Sequence, residues 1–275
     1  MDSTTFVLCG LSCYSSFNFV HPLAACMRIV IDACLAQHQG DRKEQQDRVA
    51  LIPHPRGGGV ALAVVADGMG GHTGGALAAQ QVIYTAGNNF GQFSASGDEP
   101  QELLESSISE SHLLIKASRF INEKDPHSTA VMLLLQPGRV SWVHCGDSRL
   151  YWFRGDQRVF CTKDHSYVED LVTKGLITPE QAAVHPNRNI LLTSLGGDED
   201  PRVDYDWTDD LQPGDSFVLC SDGLWGYFND AELGSIVASY SAREATDHLI
   251  KRTRKRANGE GDNVSLVVIK LLEAP

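Results

Sequence analysis

Residues 128–161 read STAVMLLLQPGRVSWVHCGDSRLYWFRGDQRVFC, and the punctuation of this stretch decides what kind of sheet the chain builds. Apolar and aromatic runs at 128–135, 139–146, 148–154 and 157–161 are each of strand length. Gln136-Pro137-Gly138-Arg139 and Arg154-Gly155-Asp156-Gln157 join neighbouring runs as hairpin turns do, so the strands pair antiparallel. Working outward, further strand-like runs lie at 27–33, 47–52, 60–66, 202–207, 215–220 and 263–271. Helical periodicity marks 74–89, 101–123, 165–175, 178–183, 230–239 and 242–257. Helices thus come in consecutive pairs between groups of strands, which argues against a doubly wound parallel sheet. The pattern predicts a layered sandwich, with two sheets face to face and a helix pair over each outer face. Residues 163–200 are polar and weakly periodic, and are expected to form a mobile surface flap.

Composition narrows the class. With 275 residues and 42% hydrophobic content, the chain can bury a sizeable core. One domain over 27–272 is expected, because no linker is visible. No stretch reaches the roughly 18 to 20 consecutive apolar residues of a membrane-spanning helix, so no membrane association is expected. A net charge of −12 argues against nucleic acid, whose binders carry a basic face. Residues 251–256, the one basic run, read as a solvated helix end. Cysteines at 9, 13, 26, 34, 145, 161 and 220 form no Cys-x-x-Cys pair, which fits a reducing, cytoplasmic setting. Residues 1–26 read as a disordered or artefactual extension without the basic start of a secretory signal. Leu23-Ala24-Ala25-Cys26 has the look of a lipoprotein processing box but lacks the positive end. Met27 opens a clean strand-like run and is the expected translation start.

The chemistry concentrates in aspartates at strand ends. In Val64-Val65-Ala66-Asp67-Gly68-Met69-Gly70-Gly71-His72 an apolar strand delivers a carboxylate into a glycine-rich turn, where glycines allow close approach of backbone to ligand. Alone, this could be an Asp-Gly turn capping a helix. The pattern repeats at Phe217-Val218-Leu219-Cys220-Ser221-Asp222-Gly223-Leu224, while Asp262 precedes the last strand and Asp147 follows Trp142-Val143-His144-Cys145-Gly146. If these carboxylates converge, each pair repels by about 4 kcal/mol at ~4 Å and intermediate dielectric, so cations must sit between them. Oxygen-only ligands favour Mg²⁺ or Mn²⁺ over Zn²⁺. Two such ions can activate a water and stabilise the in-line displacement that phosphate monoesters require. Arg42, in the charged stretch before the second strand, is the candidate to grip the phosphoryl group; its bland alternative is a surface loop. Gly57-Gly58-Gly59 lacks the Lys-Ser/Thr of a phosphate loop and reads as a hairpin turn. His72 reads as ordering the glycine turn, and His165, His185 and Arg188 as flap residues outside the catalytic set.

Together these segments resemble the metal-dependent protein phosphatases, the PPM or type 2C family, in compact bacterial form. The match runs over residues 27–270, in family order: Arg42 followed five residues later by Asp47, Asp67-Gly68-Met69-Gly70-Gly71-His72, Ser128-Thr129-Ala130, Gly146-Asp147-Ser148-Arg149, Asp164-His165-Ser166, Ser221-Asp222-Gly223, and Gly261-Asp262-Asn263. The resemblance implies an α+β fold, a four-layer sandwich of two antiparallel sheets between helix pairs. It implies a protein-serine/threonine phosphatase using two Mn²⁺ or Mg²⁺ ions. Asp67 would bridge both ions, the Gly68 carbonyl would complete one, and Asp222 with Asp262 would hold the other. Arg42 would grip phosphate, Asp47 would orient bound waters, and Asp147 would serve a weaker third ion. Expected partners are phosphorylated proteins, the targets of a serine/threonine kinase, met by a monomer. The chain departs from the family pattern at three positions. Gln46 replaces a glutamate and Met69 a histidine that serves some members as general acid; Gly226 stands where some carry another acid. An inactive regulatory module that keeps the sandwich, or a phosphatase of small molecules, are the alternatives.

Overall fold

A computed structural model describes the backbone of residues 7–9, 12–22, 28–70, 73–122 and 125–273. His72 and part of the 1–26 extension lie outside the described residues. In chain order the first elements are β1 (Val7–Cys9), β2 (Ser12–Pro22), β3 (Arg28–His38), β4 (Arg48–Pro53), β5 (Ala61–Ala66) and β6 (Gly68–Met69). Two long helices follow, α1 (Thr73–Gln92) and α2 (Pro100–Asn122), then β7 (His127–Ser128), β8 (Ala130–Gln136), β9 (Arg139–Cys145), β10 (Arg149–Arg154) and β11 (Gln157–Cys161). The flap region carries α3 (Tyr167–Thr173) and α4 (Pro179–Ala183), and β12 (Asp204–Thr208) and β13 (Asp215–Cys220) come next. The last elements are α5 (Asp222–Trp225), α6 (Asp230–Ser239), α7 (Ala242–Ala257) and β14 (Val264–Glu273).

The strands form a seven-stranded sheet, β1-β2-β3-β14-β13-β10-β11, a five-stranded sheet, β12-β9-β8-β5-β4, and a two-residue ladder of β6 with β7. The pairings are antiparallel, as the hairpin signals require: Gln136 faces Arg139 across the β8–β9 turn and Arg154 faces Gln157 across β10–β11. Gly57-Gly58-Gly59 lies in the connection of the β4–β5 hairpin. One expectation needs correction. Ser12–Pro22, read as part of a disordered extension, pairs along β3 from Ser12 with His38 to Pro22 with Arg28. The pairing occupies backbone groups that β3 would otherwise present as an open edge.

Three apolar layers hold the sandwich. Period-2 alternation sends Ile29, Ile31, Leu150, Trp152, Phe217, Leu219, Val267 and Ile269 of the large sheet against Ala63, Val65, Val131, Leu133 and Trp142 of the other. The opposite faces of the same strands are also apolar. Leu62, Val64, Met132 and Leu134 pack under Val82, Phe90, Leu104 and Ile108 of α1 and α2. Cys34, Phe153, Val218 and Val268 pack under Leu233, Ile236, Leu249 and Ile250 of α6 and α7. Both faces of β5 and β13 are therefore buried along their whole length, and the polar residues needed for chemistry are displaced to the strand ends.

Candidate active site

Four of the predicted carboxylates, Asp67, Asp147, Asp222 and Asp262, line one cleft from well-separated points of the chain, and a fifth, Asp47, is buried and electrostatically coupled to Asp67. Asp47 immediately precedes β4, Asp67 follows β5, Asp147 lies between β9 and β10, Asp222 opens α5 after β13, and Asp262 precedes β14. The cleft has a volume of about 690 Å³; Arg42, Asp67, Gly68, Asp147, Asp222 and Asp262 line it, while Asp47 is buried with 1% exposure.

Each carboxylate is seated by local hydrogen bonds. The backbone of Asp67 exchanges bonds with Thr129: Thr129 N–H donates to the Asp67 carbonyl at 2.8 Å, and Asp67 N–H donates to Thr129 Oγ1 at 3.1 Å. Thr129 Oγ1 in turn meets Ser148 Oγ at 2.7 Å. The Ser-Thr-Ala segment thus sets the strand exit that carries Asp67. Gly68 and Gly75 touch backbone to backbone: a Cβ on Gly68 would stand 2.1 Å from the Gly75 carbonyl oxygen. Only glycine permits the start of α1 to close on the Asp67-Gly68 turn. Asp47 accepts from Ser221 Oγ at 2.7 Å, and Ser221 Oγ accepts from Ser265 N–H at 3.1 Å. The Asp147 carbonyl accepts from Trp225 Nε1 at 2.9 Å, and the Trp225 ring lies 3.6 Å from the Arg149 guanidinium. Arg149 holds Asp164 through two 2.8 Å bonds, so three of the quoted motifs form one connected wall.

The electrostatics of the cluster are those of like charges drawn together. Burial first, then Asp47, Asp222, Asp147 and Asp262, push Asp67 well above the usual carboxylate range. Burial and then Asp262 raise Asp222 to about 6. Burial, then Asp222 and Asp164, raise Asp147 to about 8. Asp47 is raised to about 7 by burial, opposed by the Ser221 hydrogen bond. Guanidinium groups answer this field: Arg42 pairs with Asp262 and also feels Asp222 and Asp67, which raise its pKa, and Arg149 opposes the upward shift of Asp147. Oxygen donors that repel one another around one cleft fit hard divalent cations, which turn the repulsion into attraction.

The cleft lining includes the sequence-predicted residues Arg42, Asp67, Gly68, Asp147, Asp222 and Asp262, while Asp47 is buried outside the lining. Sequence reasoning missed Asn189 and Leu191, which line the cleft from the flap region, and Asp41, Lys43 and Glu44, which line it from the loop before β4; Gln46, noted in place of a family glutamate, lines it as well. His185 and Arg188 are absent from that lining; His165 is a core residue, 2% exposed. Ligand atoms of His144, His165 and Asp204 lie within 4.8 Å of one another. The two imidazoles stack at 4.5 Å with planes 24° apart, and Gly146 N–H donates to His165 Nδ1 at 3.2 Å. That bond leaves the proton on His165 Nε2, which faces Asp204 at 3.2 Å, so this cluster is an internal polar contact unsuited to ligation. The basic run lies at the exposed end of α7 as expected, and there Arg254 makes a two-pronged bond to Asp41, while Arg252 and Arg256 both reach Glu232.

Comparison with known proteins agrees with the geometry. Residues 36–261 match the family model for protein phosphatase 2C. The chain is 30% identical to the serine/threonine phosphatase stp of Listeria innocua over 214 residues, 76% of this chain and 84% of that one. It is 31% identical to the serine/threonine protein phosphatase PstP of Mycobacterium tuberculosis over 78% of its own length, spanning 41% of that longer protein. Its fold superposes on the S. agalactiae serine/threonine phosphatase with a TM-score of 0.80 at 26% identity, covering 87% of this chain and 99% of that one. It superposes on the PstP catalytic domain, solved in complex with two manganese ions, with a TM-score of 0.74 at 28% identity, covering 89% and 99%. The chain belongs to the protein phosphatase 2C family.

Proposed function

We propose that the protein hydrolyses phosphoserine and phosphothreonine on other proteins, with two divalent cations, Mn²⁺ or Mg²⁺, held by aspartates. The observation that carries this reading is the convergence of Asp67, Asp147, Asp222 and Asp262 on one cleft that also contains Arg42. Membership of the protein phosphatase 2C family and the two manganese ions of the PstP catalytic domain support it. Asp67 would bridge the ions, with the Gly68 carbonyl completing one site and Asp222 and Asp262 the other; Asp147 would serve a third. Bound cations would supply charge neutralisation and an activated water as nucleophile.

The protein's own residues do the remainder. Arg42 orients the phosphoryl group with its planar fork, exchanging its pairing with Asp262 for the substrate dianion. Asp47, fixed by Ser221, accepts hydrogen bonds from waters on the cleft floor and holds them in place. With Met69 in the position of a family histidine, the leaving oxygen takes its proton from a bound water or from another group. Among the described residues no helix is long and apolar enough to cross a membrane. The free thiols of Cys145, Cys161 and Cys220 fit a reducing cytoplasm, in which the protein, as a monomer, opposes a serine/threonine kinase.

The test is hydrolysis of p-nitrophenyl phosphate and of a phosphothreonine peptide with Mn²⁺, Mg²⁺ or chelator. The expected result is metal-dependent release that Asp222→Asn reduces by at least 100-fold, about 2.7 kcal/mol of transition-state stabilisation. A fully active Asp222→Asn enzyme sinks the assignment. Turnover of small phosphate esters with none on the peptide would move the substrate class to metabolites.

A further inference from the structure

The Arg42 loop is held by a contact that none of the phosphatase motifs contains. Residues 39–46 connect β3 to β4 and lie against residues 261–263. Asn263 Nδ2 donates to the carbonyls of Gln39 at 2.7 Å and Glu44 at 3.0 Å, and Gln46 N–H donates to Asn263 Oδ1 at 2.7 Å. Gly40, at φ +69°, lies so close that a Cβ would stand 1.9 Å from the Asp262 carbonyl oxygen. Between these anchors sits Asp41. Its backbone N–H donates to the Gly261 carbonyl at 2.8 Å, and its Oδ2 accepts from Gly261 N–H at 2.7 Å. Both of its carboxylate oxygens accept from Arg254, Nη1 and Nη2 each at 2.7 Å.

Arg254 projects from the last turn of α7, an element that contributes nothing to the cleft lining. Its fork nevertheless clamps the residue immediately before Arg42. A bidentate guanidinium–carboxylate pair fixes direction as well as distance, which lysine cannot do. The same guanidinium stands against Gly261, where a Cβ would lie 2.6 Å from Nη1, so one side chain braces the segments carrying both Arg42 and Asp262.

We propose that Arg254, acting through Asp41, is a positioning residue that sets the Arg42 loop for phosphate capture. This inference rests on the phosphate-gripping role given to Arg42. Arg42 is 61% exposed at its side chain, so its own packing constrains it little and its aim depends on the backbone beneath it. With the clamp in place, the loop is preset and Arg42 needs only a side-chain movement to leave Asp262 and meet substrate. Without it, the loop samples other arrangements and binding must select the competent one, which raises KM in proportion and leaves kcat nearly unchanged.

The experiment compares wild type, Asp41→Asn, Arg254→Gln, Arg254→Lys and the Asp41→Asn/Arg254→Gln double variant. Steady-state kinetics with p-nitrophenyl phosphate, inhibition by inorganic phosphate, and hydrogen exchange of the 39–46 amides in metal-free protein are all measured. We expect Asp41→Asn and Arg254→Gln each to raise KM and the phosphate inhibition constant by about 5- to 20-fold with kcat within twofold, and to speed exchange of 39–46. The double variant should be no worse than the worse single one, because both remove one interaction, and Arg254→Lys should restore little. Unchanged KM or unchanged loop exchange in Arg254→Gln overturns the proposal, as do additive losses in the double variant. An inert wild type would instead sink the phosphatase reading itself, and the positioning role with it.

Discussion

Asp47 illustrates how a residue can matter without touching substrate. It is buried, bound to Ser221, and shifted upward by desolvation and by its carboxylate neighbours. Its charge at neutral pH therefore depends on a cation nearby to offset that burial. Replacement by asparagine keeps the size and one acceptor for Ser221 but removes the charge. Mn²⁺ affinity of Asp47→Asn, read by titration calorimetry, is expected to fall by about 10- to 100-fold, with the fold intact by circular dichroism. Unaltered affinity would remove Asp47 from the cation network. Asp67, Asp147 and Asp222 were legible as candidates because each follows an apolar strand, and Asp262 because it precedes one, whereas Asp47 was placed by the family resemblance alone. Arg254 was not legible. Among the six residues of 251–256, nothing local separates it from Arg252 or Arg256, and its assignment depends on Asp41, which the fold alone brings opposite.

At the scale of elements, α7 is the helix on which most depends, since its start and its end do different things. Ser241 and Glu244 form a capping box, Glu244 N–H donating to Ser241 Oγ at 3.3 Å and Ser241 N–H to Glu244 Oε2 at 3.1 Å. The far end stops at Asn258 in the left-handed conformation, φ 48°. Ser241→Ala should cost about 1 kcal/mol, seen as a melting point lower by roughly 2–4 °C, with KM unchanged because the Arg254 end keeps its partner. A raised KM in that variant would mean that the two ends of the helix are coupled. The strands and long helices were readable from period and turn chemistry, both local properties. The pieces that escaped are β6, β7 and α5, each four residues or fewer, and the β1–β2 pairing at the open edge of β3. Their existence depends on partners distant in sequence, such as Ser128 exchanging backbone bonds with Leu195, and no window of local periodicity contains that information.

At the scale of the whole molecule, the unbalanced carboxylate cluster makes stability depend on pH and on metal together. Asp222, Asp47 and Asp147 have folded pKa values of about 6, 7 and 8, above the ordinary carboxylate value near ~3.9. The folded state therefore binds more protons than the unfolded chain, and stability falls as pH rises through this range. Metal-free protein should lose several degrees of melting temperature between pH 6 and pH 8.5. Saturating Mn²⁺ should abolish or reverse the slope, because cations bind the deprotonated cluster of the native state and add stability by mass action. A metal-free melting point that rises steadily over that interval would contradict the clustering.

The order of strands in the large sheet sets a condition on when this chemistry can begin. β14 lies between β3 and β13, yet it follows every other described element, and Asp262 stands two residues before its start. A nascent chain still sheltering these residues in the ribosomal tunnel has Asp67 and Asp222 outside but neither a closed sheet nor a complete cation cage. The proposed cation set is thus complete only once synthesis has passed residue 262 and β14 has been threaded between its neighbours. The middle of the large sheet is closed by the latest of its strands, so the cleft is assembled by the same event that seals the sheet.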